Sequence, residues 1–178
     1  ADLARYATSA TCAVGGTNVA TTAGANGRFS VTVPDGTTGV VGCEITNTPI
    51  PTLTLAKNVV GRNNDADQFT LSIANSGGTT LGTPVTTTGT TNGVQGVKVA
   101  PVDVVAGTTY TIREAAAGGT VLADYTTSAT CKAADGSTVA TTGSNGTWSV
   151  TIPSGAMDLV SCEIKNVAKP SITVTKTI

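Results

Sequence analysis

Three polar residues occupy positions at which a β-strand would present an apolar side chain to the protein core. In each of three segments, apolar residues alternate along the chain until one polar residue takes the next position on the same face; these polar residues are Lys57, Glu114 and Asn166. Successive side chains of a strand point to opposite faces, so all three are expected to project inward. An isolated buried charge costs several kcal/mol, so the three side chains must satisfy one another.

These residue types can carry out one reaction together. Burial favours the neutral forms of an amine and of a carboxylic acid, which are their reactive forms. A neutral Lys57 amine held against Asn166 can attack the carboxamide carbon, while Glu114 donates a proton to the oxygen and shuttles another to the leaving ammonia. The expected product is a Lys57–Asn166 isopeptide bond, and Glu114 is catalytic in that self-modification alone.

Two other interpretations of these residues stay open. The three side chains can form a hydrogen-bonded triad without a covalent bond. Alternatively, Lys57 ends a strand with its ammonium group in water, and Asn166 is a turn residue before a linker.

An internal repeat supplies the strands that position these residues. Residues 1–59 align with residues 120–178 at a spacing of 119 positions and match at 25 of 59 positions without a gap. A fixed period of this kind indicates a repeat architecture. The sequence therefore predicts the second half of a preceding repeat at 1–48, a complete repeat at 51–167 and the first strand of a following repeat at 170–178.

Two residues repeat parts of the candidate site in the flanking segments. Asn47 corresponds to Asn166, and Lys176 corresponds to Lys57. Each is expected to pair with a residue outside this chain or to stay unreacted. The chain is then either a window on a longer polyprotein or a filament subunit that polymerises by strand exchange, with residues 170–178 as the donated strand.

The four cysteines form two pairs with the same spacing. Cys12 and Cys43 lie 31 positions apart, as do Cys131 and Cys162, and the chain has no histidine. Zinc sites need closer cysteine pairs or histidine partners, so the spacing predicts one disulfide within each pair and no metal. Disulfides place the protein outside a reducing cytoplasm.

The composition favours strands and turns over helices. The chain has 36 threonines and 21 glycines against a single methionine, which is typical of an all-β protein. Short alternating runs bounded by Gly, Asn and Asp predict seven or eight strands, enough for a β-sandwich. The predicted strands are Thr52–Val59, Gln68–Ala74, Thr79–Thr87, Val94–Val105, Thr108–Ala115, Tyr125–Ala133, Thr147–Pro153 and Leu159–Val167.

Several classes of function are disfavoured by the same sequence. A net charge of -1 without a Lys/Arg cluster argues against nucleic acid as a partner, and no apolar run is long enough for membrane insertion of this segment. Asn63–Asp67 has oxygen ligands at a calcium-like spacing but lacks the glycine and the closing glutamate of a calcium loop, so an ordinary turn is expected. No cofactor fingerprint and no Ser/His/Asp set is present, so we expect no cofactor and no enzyme.

Three motifs of the complete repeat resemble those of a known family. They are Leu53–Lys57, Tyr110–Glu114 followed by Tyr125, and Cys162–Asn166. They resemble the Cna B-type, or SpaA-like prealbumin-fold, repeats of bacterial surface proteins and pilins, over residues 51–167 and partly over both flanks. The resemblance implies an immunoglobulin-like β-sandwich in tandem repeats, and an isopeptide bond between the first-strand lysine and the last-strand asparagine, promoted by the glutamate.

These features together predict a structural module of an extracellular fibre, stalk or pilus-like protein on the bacterial cell surface. Its expected partners are neighbouring repeats of the same protein or identical subunits of a filament. A ligand-binding adhesin repeat is the alternative of another class. Small and polar loops favour the structural module over the adhesin.

Overall fold

The computed structural model describes residues 2–156, 158–170, 172 and 174–176. The chain divides into two compact units, Ala1–Ile50 and Pro51–Ile178, called here the smaller and the larger unit. Among the described residues, no helix has the length and apolar character needed to cross a membrane.

The smaller unit contains five strands within its described residues. Three form an antiparallel sheet in the order β2-β1-β5, and the other two form the hairpin β3–β4. Their bounds are β1 (Tyr6–Val14), β2 (Thr17–Val19), β3 (Thr21–Ala23), β4 (Phe29–Val31) and β5 (Gly42–Pro49).

The larger unit contains ten strands within its described residues, arranged in two five-stranded sheets. One sheet has the order β13-β14-β10-β7-β8 and the other β12-β11-β15-β6-β9. The first and last strands, β6 and β15, are parallel neighbours at the centre of the second sheet. The bounds are β6 (Thr52–Val60), β7 (Gln68–Ala74), β8 (Thr80–Thr86), β9 (Gly93–Asp103), β10 (Thr109–Ala117), β11 (Tyr125–Lys132), β12 (Thr138–Val139), β13 (Thr141–Ser144), β14 (Thr147–Thr151) and β15 (Leu159–Ala168).

The core of the larger unit consists of the inward faces of both sheets. Leu55 of β6, Ile73 of β7, Ile112 of β10 and Ile164 of β15 are fully buried and belong to one apolar cluster. Buried and exposed residues alternate along β10 and β15 because a sheet that packs on one face buries every second side chain. This confirms the all-β sandwich predicted from the sequence.

Two short strands of the larger unit were not predicted from the sequence. Gln68–Ala74 has the predicted bounds, and the other predicted strands differ from the observed ones by a few residues at their ends. Thr138–Val139 and Thr141–Ser144 were not predicted, because runs of two and four residues are too short to show alternation. Both lie at the outer edge of a sheet.

The structure corrects the gapless alignment of the repeat at one place. Cys12 and Cys131 lie 119 positions apart, but their strand partners Val19 and Val139 lie 120 positions apart. The turn between β11 and β12 is therefore one residue longer than the turn between β1 and β2. The spacing of 119 resumes in β4 and β14, because the loop of the β3–β4 hairpin compensates for that residue.

Gly143 provides a test of this fold. Its φ of +145° suits glycine, and a Cβ atom there would lie 2.7 Å from the Trp148 Cα. We expect Gly143→Ala to lower the free energy of unfolding by at least about 2 kcal/mol, since backbone strain alone costs about 1–3 kcal/mol. Urea unfolding followed by fluorescence of Trp148, the single tryptophan, measures this. Gly155→Ala is the control, since a Cβ meets open space there, and equal midpoints would contradict the prediction.

Candidate crosslinking site

Three strands bring the predicted site residues together inside the larger unit. Lys57 is on β6, Asn166 is on β15 and Glu114 is on β10 of the facing sheet. Lys57 and Asn166 are 0% exposed and Glu114 is 5% exposed. All three project into the core, as the alternation along their strands predicts.

Glu114 bridges the two nitrogen atoms of the site. Its Oε2 lies 3.0 Å from Lys57 Nζ, an ion-pair distance without hydrogen-bond alignment. Its Oε1 accepts a hydrogen bond of 3.0 Å from Asn166 Nδ2. The carboxyl group therefore lies where it can move a proton from the amine to the amide nitrogen. The proton that the sequence predicts Glu114 to donate to the amide oxygen has no matching contact, because both carboxyl oxygens of Glu114 face nitrogen atoms.

Backbone carbonyl groups hold the Lys57 amine in place. Nζ donates to the carbonyl oxygen of Ile164 at 3.1 Å and to that of Asn58 at 3.2 Å. Ile164 is the residue paired with Lys57 in the parallel β6–β15 ladder, two positions before Asn166. The parallel pairing thus brings the amine close to the end of β15 that carries the amide.

An aromatic pair forms an apolar wall beside the amine. Nζ lies 4.7 Å from the ring centroid of Phe69, and the rings of Phe69 and Tyr125 are nearly perpendicular with centroids 5.3 Å apart. Both rings are buried with Val59 in a small cluster of their own. The alternation along β7 predicts an inward Phe69, but nothing in the sequence indicates its contact with Lys57.

Burial lowers the pKa of Lys57 from 10.5 to about 8, against the opposing effect of the Glu114 carboxylate. Desolvation disfavours the ammonium form, and the nearby negative charge favours it. With this pKa, roughly a tenth of the amine is neutral at pH 7. The reactive form is therefore present under ordinary conditions.

The loop after β6 is tied to the start of β11. The Tyr125 hydroxyl donates to Asp67 Oδ2 and accepts from the backbone N–H of Asn63. Burial, followed by the hydrogen bond to Asp67, raises the pKa of Tyr125 to about 12. Arg62 donates to the Asp67 carbonyl and to the Gln95 side chain. Asn63–Asp67 is therefore a structural turn, and no cluster of metal-ligating side chains occurs in the described part of the chain.

Both cysteine pairs are joined as disulfides. Cys131–Cys162 connects directly opposed residues of β11 and β15, and Cys12–Cys43 does the same for β1 and β5. Cys162 lies on β15, which carries Asn166 and is the neighbour of the Lys57 strand β6.

The partial copies of the site have different surroundings. Asn47 is exposed on β5, where its Oδ1 accepts a hydrogen bond of 2.8 Å from the Thr8 hydroxyl. Lys176 is exposed and outside any strand. The strand predicted at 170–178 falls partly on residues 171, 173, 177 and 178, which lie outside the described residues. The pairing of Asn47 and Lys176 therefore stays a prediction.

Comparison with known families gives an assignment. A family model described as a prealbumin-like fold domain, of the SpaA type, matches residues 1–49 and residues 52–168. The chain belongs to this family. The match confirms the resemblance stated from the motifs and the prealbumin type of the sandwich. Comparison with curated protein sequences found no match.

Solved structures that match the chain include an adhesin and a pilin. One is a bacterial adhesin from Mobiluncus mulieris with intramolecular disulfide, isopeptide and ester bond crosslinks, at 17% identity and a TM-score of 0.45, over 72% of this chain and 44% of that one. The other is a major pilin protein from Streptococcus pyogenes, at 17% identity and a TM-score of 0.42, over 92% of this chain and 61% of that one. The chain spans less than two thirds of either structure.

The buried ion pair generates a prediction about stability. In a chain carrying Asn166→Ala, which removes the carboxamide, we expect Glu114→Gln to lower the free energy of unfolding by about 1 kcal/mol at pH 7. The Lys57 ammonium loses its counter-charge, but the neutral amine, already about a tenth of the population, can stay buried in its place. Adding Lys57→Met should recover most of that loss. Urea unfolding measures the free energy of unfolding of the Asn166→Ala chain, of the chain with Glu114→Gln added and of the chain with both further substitutions.

The matched control for this prediction is Arg113→Gln, which removes an exposed charge from the neighbouring position of β10. It should change the free energy of unfolding by less than about 0.5 kcal/mol. If Glu114→Gln were equally mild, the carboxylate would not be what balances the buried ammonium.

Proposed function

We propose that the larger unit is a structural module of an extracellular surface protein, held rigid by a Lys57–Asn166 isopeptide bond and the Cys131–Cys162 disulfide. One observation carries the proposal. The amine of Lys57 lies 3.0 Å from the carboxyl group of Glu114, which lies 3.0 Å from the carboxamide nitrogen of Asn166. All three residues are buried, at 0%, 5% and 0% exposure.

The reaction needs only these three groups. Lys57 Nζ, as the neutral amine, attacks Cγ of Asn166, and negative charge develops on Oδ1. Glu114 accepts the proton that Nζ loses and passes it to Nδ2. The bond between Cγ and Nδ2 breaks, the bond between Nζ and Cγ forms, and one ammonia leaves. The groups are held together by the fold, so the reaction gains from proximity as an intramolecular step does.

The position of the bond supports a mechanical role. It joins the first and last strands, through which a pulling force enters the unit. Force applied at Thr52 and at Ala168 would pass through the crosslink between residues 57 and 166. The chain from Asn58 to Lys165, including the disulfide, would then carry no load. Such a unit stays folded under tension without depending on the hydrogen bonds of its ladder.

The smaller unit is proposed to be half of a second module. Ile45 of β5 is 58% exposed, whereas the corresponding Ile164 of β15 is 0% exposed because β6 and the facing sheet cover it. Leu3, Tyr6 and Phe29 line an open depression of about 530 Å³. A complementary half with a lysine-bearing strand parallel to β5 would cover this surface and place an amine beside Asn47.

The disulfides and the family of the chain support an extracellular location. Disulfides persist in oxidising surroundings, and both cysteine pairs form them. An extracellular location on a bacterial surface accounts for that chemistry. Neighbouring repeats of the same protein, or identical subunits of a filament, are the proposed partners.

Intact mass tests the crosslink. The reduced and denatured chain should be lighter than its sequence by one ammonia, and a peptide map should join Lys57 to Asn166. Lys57→Ala, Asn166→Ala and Glu114→Ala should each restore the full mass. The controls Lys165→Ala and Asn58→Ala, which remove an amine and an amide from neighbouring positions, should keep the lighter mass.

Each other result has a definite meaning. A full mass for the parent chain would refute the isopeptide bond. Loss of a second ammonia within one chain would contradict the proposal that Asn47 and Lys176 await partners outside it. Covalent multimers in denaturant, joined through Asn47 and Lys176, would favour the filament subunit that polymerises by strand exchange.

The rate of crosslinking should rise with pH and level off above about pH 8. Lys57 reacts as the neutral amine, and its lowered pKa of about 8 sets the midpoint. Below the midpoint the rate should fall about tenfold per pH unit. Newly synthesised chain is collected in denaturant, diluted into buffers of different pH and sampled by mass. A rate that is constant from about pH 6 to 9 would mean that deprotonation of Lys57 does not control the reaction.

A further inference from the structure

The carboxamide of Asn166 has one buried atom without a partner. Its Nδ2 is bound to Glu114, but its Oδ1 accepts no hydrogen bond from the described residues. A buried acceptor left unsatisfied costs about 1–3 kcal/mol. The same oxygen would take the negative charge when the Lys57 amine adds to Cγ, so the missing donor concerns the reaction directly.

The smaller unit shows which residue can supply that donor. Thr8 lies directly opposite Asn47 in the β1–β5 ladder, and its hydroxyl donates to Asn47 Oδ1 at 2.8 Å. Thr127 lies directly opposite Asn166 in the β11–β15 ladder. Because opposed residues of antiparallel strands share one face of the sheet, the Thr127 hydroxyl has the same reach toward Asn166.

We propose that the Thr127 hydroxyl donates a hydrogen bond to Asn166 Oδ1 as the crosslink forms and stabilises the oxyanion of the tetrahedral intermediate. This rests on the proposed Lys57–Asn166 reaction. Because Thr8 makes this contact from the same ladder position, a staggered rotamer of Thr127 can place its hydroxyl against Asn166 Oδ1. The proton stays on the hydroxyl, so the balance of the reaction is unchanged.

Glu114 and Thr127 would act on different atoms of the Asn166 carboxamide. Both oxygens of Glu114 face nitrogen atoms, so the carboxyl group is committed to moving a proton from Nζ to Nδ2. A separate donor is then needed at the oxygen. Thr127 is half-buried on the inward face of β11, at the edge of the site, where its hydroxyl can turn toward Asn166 while the core stays closed.

The test compares rates of crosslinking in the full chain after dilution from denaturant. Thr127→Val keeps the shape and strand preference of threonine without the hydroxyl, and it should slow the loss of ammonia at least about tenfold, since one oxyanion donor contributes about 10²–10³ in enzymes. Thr127→Ser keeps the hydroxyl and should react at close to the parent rate. Thr130→Val, on the outward face of β11, is the matched control and should not change the rate.

The pH profile separates a lost donor from a packing defect. Threonine does not titrate in this range, so Thr127→Val should lower the plateau of the rate and leave its midpoint unchanged. A repacked site would alter the burial of Lys57 and move the midpoint. Trp148 fluorescence before and after dilution shows that each variant has folded.

Failure of this inference differs from failure of the proposed function. If Thr127→Val reacts at the parent rate while Glu114→Ala keeps its full mass, the crosslink stands and the donor role of Thr127 is wrong. A shifted midpoint in Thr127→Val, or a Thr127→Ser rate as low as that of Thr127→Val, also overturns the donor role. A parent chain that never loses ammonia overturns both.

Discussion

The burial of one lysine governs the structure of the larger unit. An ammonium group removed from water needs a counter-charge and hydrogen-bond acceptors, and Lys57 finds them on two different elements, Glu114 of β10 and the Ile164 carbonyl of β15. These contacts tie the facing sheet to the parallel β6–β15 pair. The same burial lowers the lysine pKa to about 8 against the opposing effect of Glu114, so the desolvation that makes these contacts necessary also favours the neutral amine.

The two units show what the facing sheet and β6 contribute to burial. Strands β2-β1-β5 have the same order as β12-β11-β15, but only β15 is also flanked by β6 and faced by a second five-stranded sheet. Cys162 and Ile164 are buried between two sheets, whereas the corresponding residues Cys43 and Ile45 are exposed on β5. The local sequence is nearly the same in both cases. Burial along β15 therefore depends on β6 and on the facing sheet, and not on the local sequence alone. The two asparagines differ accordingly, since the exposed Asn47 contacts the Thr8 hydroxyl whereas the buried Asn166 contacts the Glu114 carboxyl group.

Local sequence pattern predicted the inward direction of the three polar side chains but not their contacts. Alternation along a strand decides which side chains face inward, so Lys57, Glu114 and Asn166 could be assigned to the core from local pattern alone. The contacts of Glu114 with two nitrogen atoms depend on how the two sheets pack against each other. Local sequence pattern does not determine that packing. The wall formed by Phe69 is of the same kind. Val19 and Val139 lie 120 positions apart, one more than the repeat spacing. The gapless alignment did not detect this extra residue, because the next hairpin is one residue shorter and restores the repeat length.

A buried ion pair is ordinarily a poor way to stabilise a fold, because the desolvation of two charges offsets most of their attraction. The proposed crosslink changes that comparison. When Nζ becomes an amide nitrogen, Lys57 loses its positive charge and with it the cost of burying that charge. A covalent bond then replaces the ion pair. The charged triad is then an intermediate state on the way to the finished module. Glu114 remains buried beside the new amide, where its carboxyl group can hydrogen-bond to the N–H that the reaction leaves behind. On this view the polar core exists to make one bond, and the mechanical stability of the module follows from it.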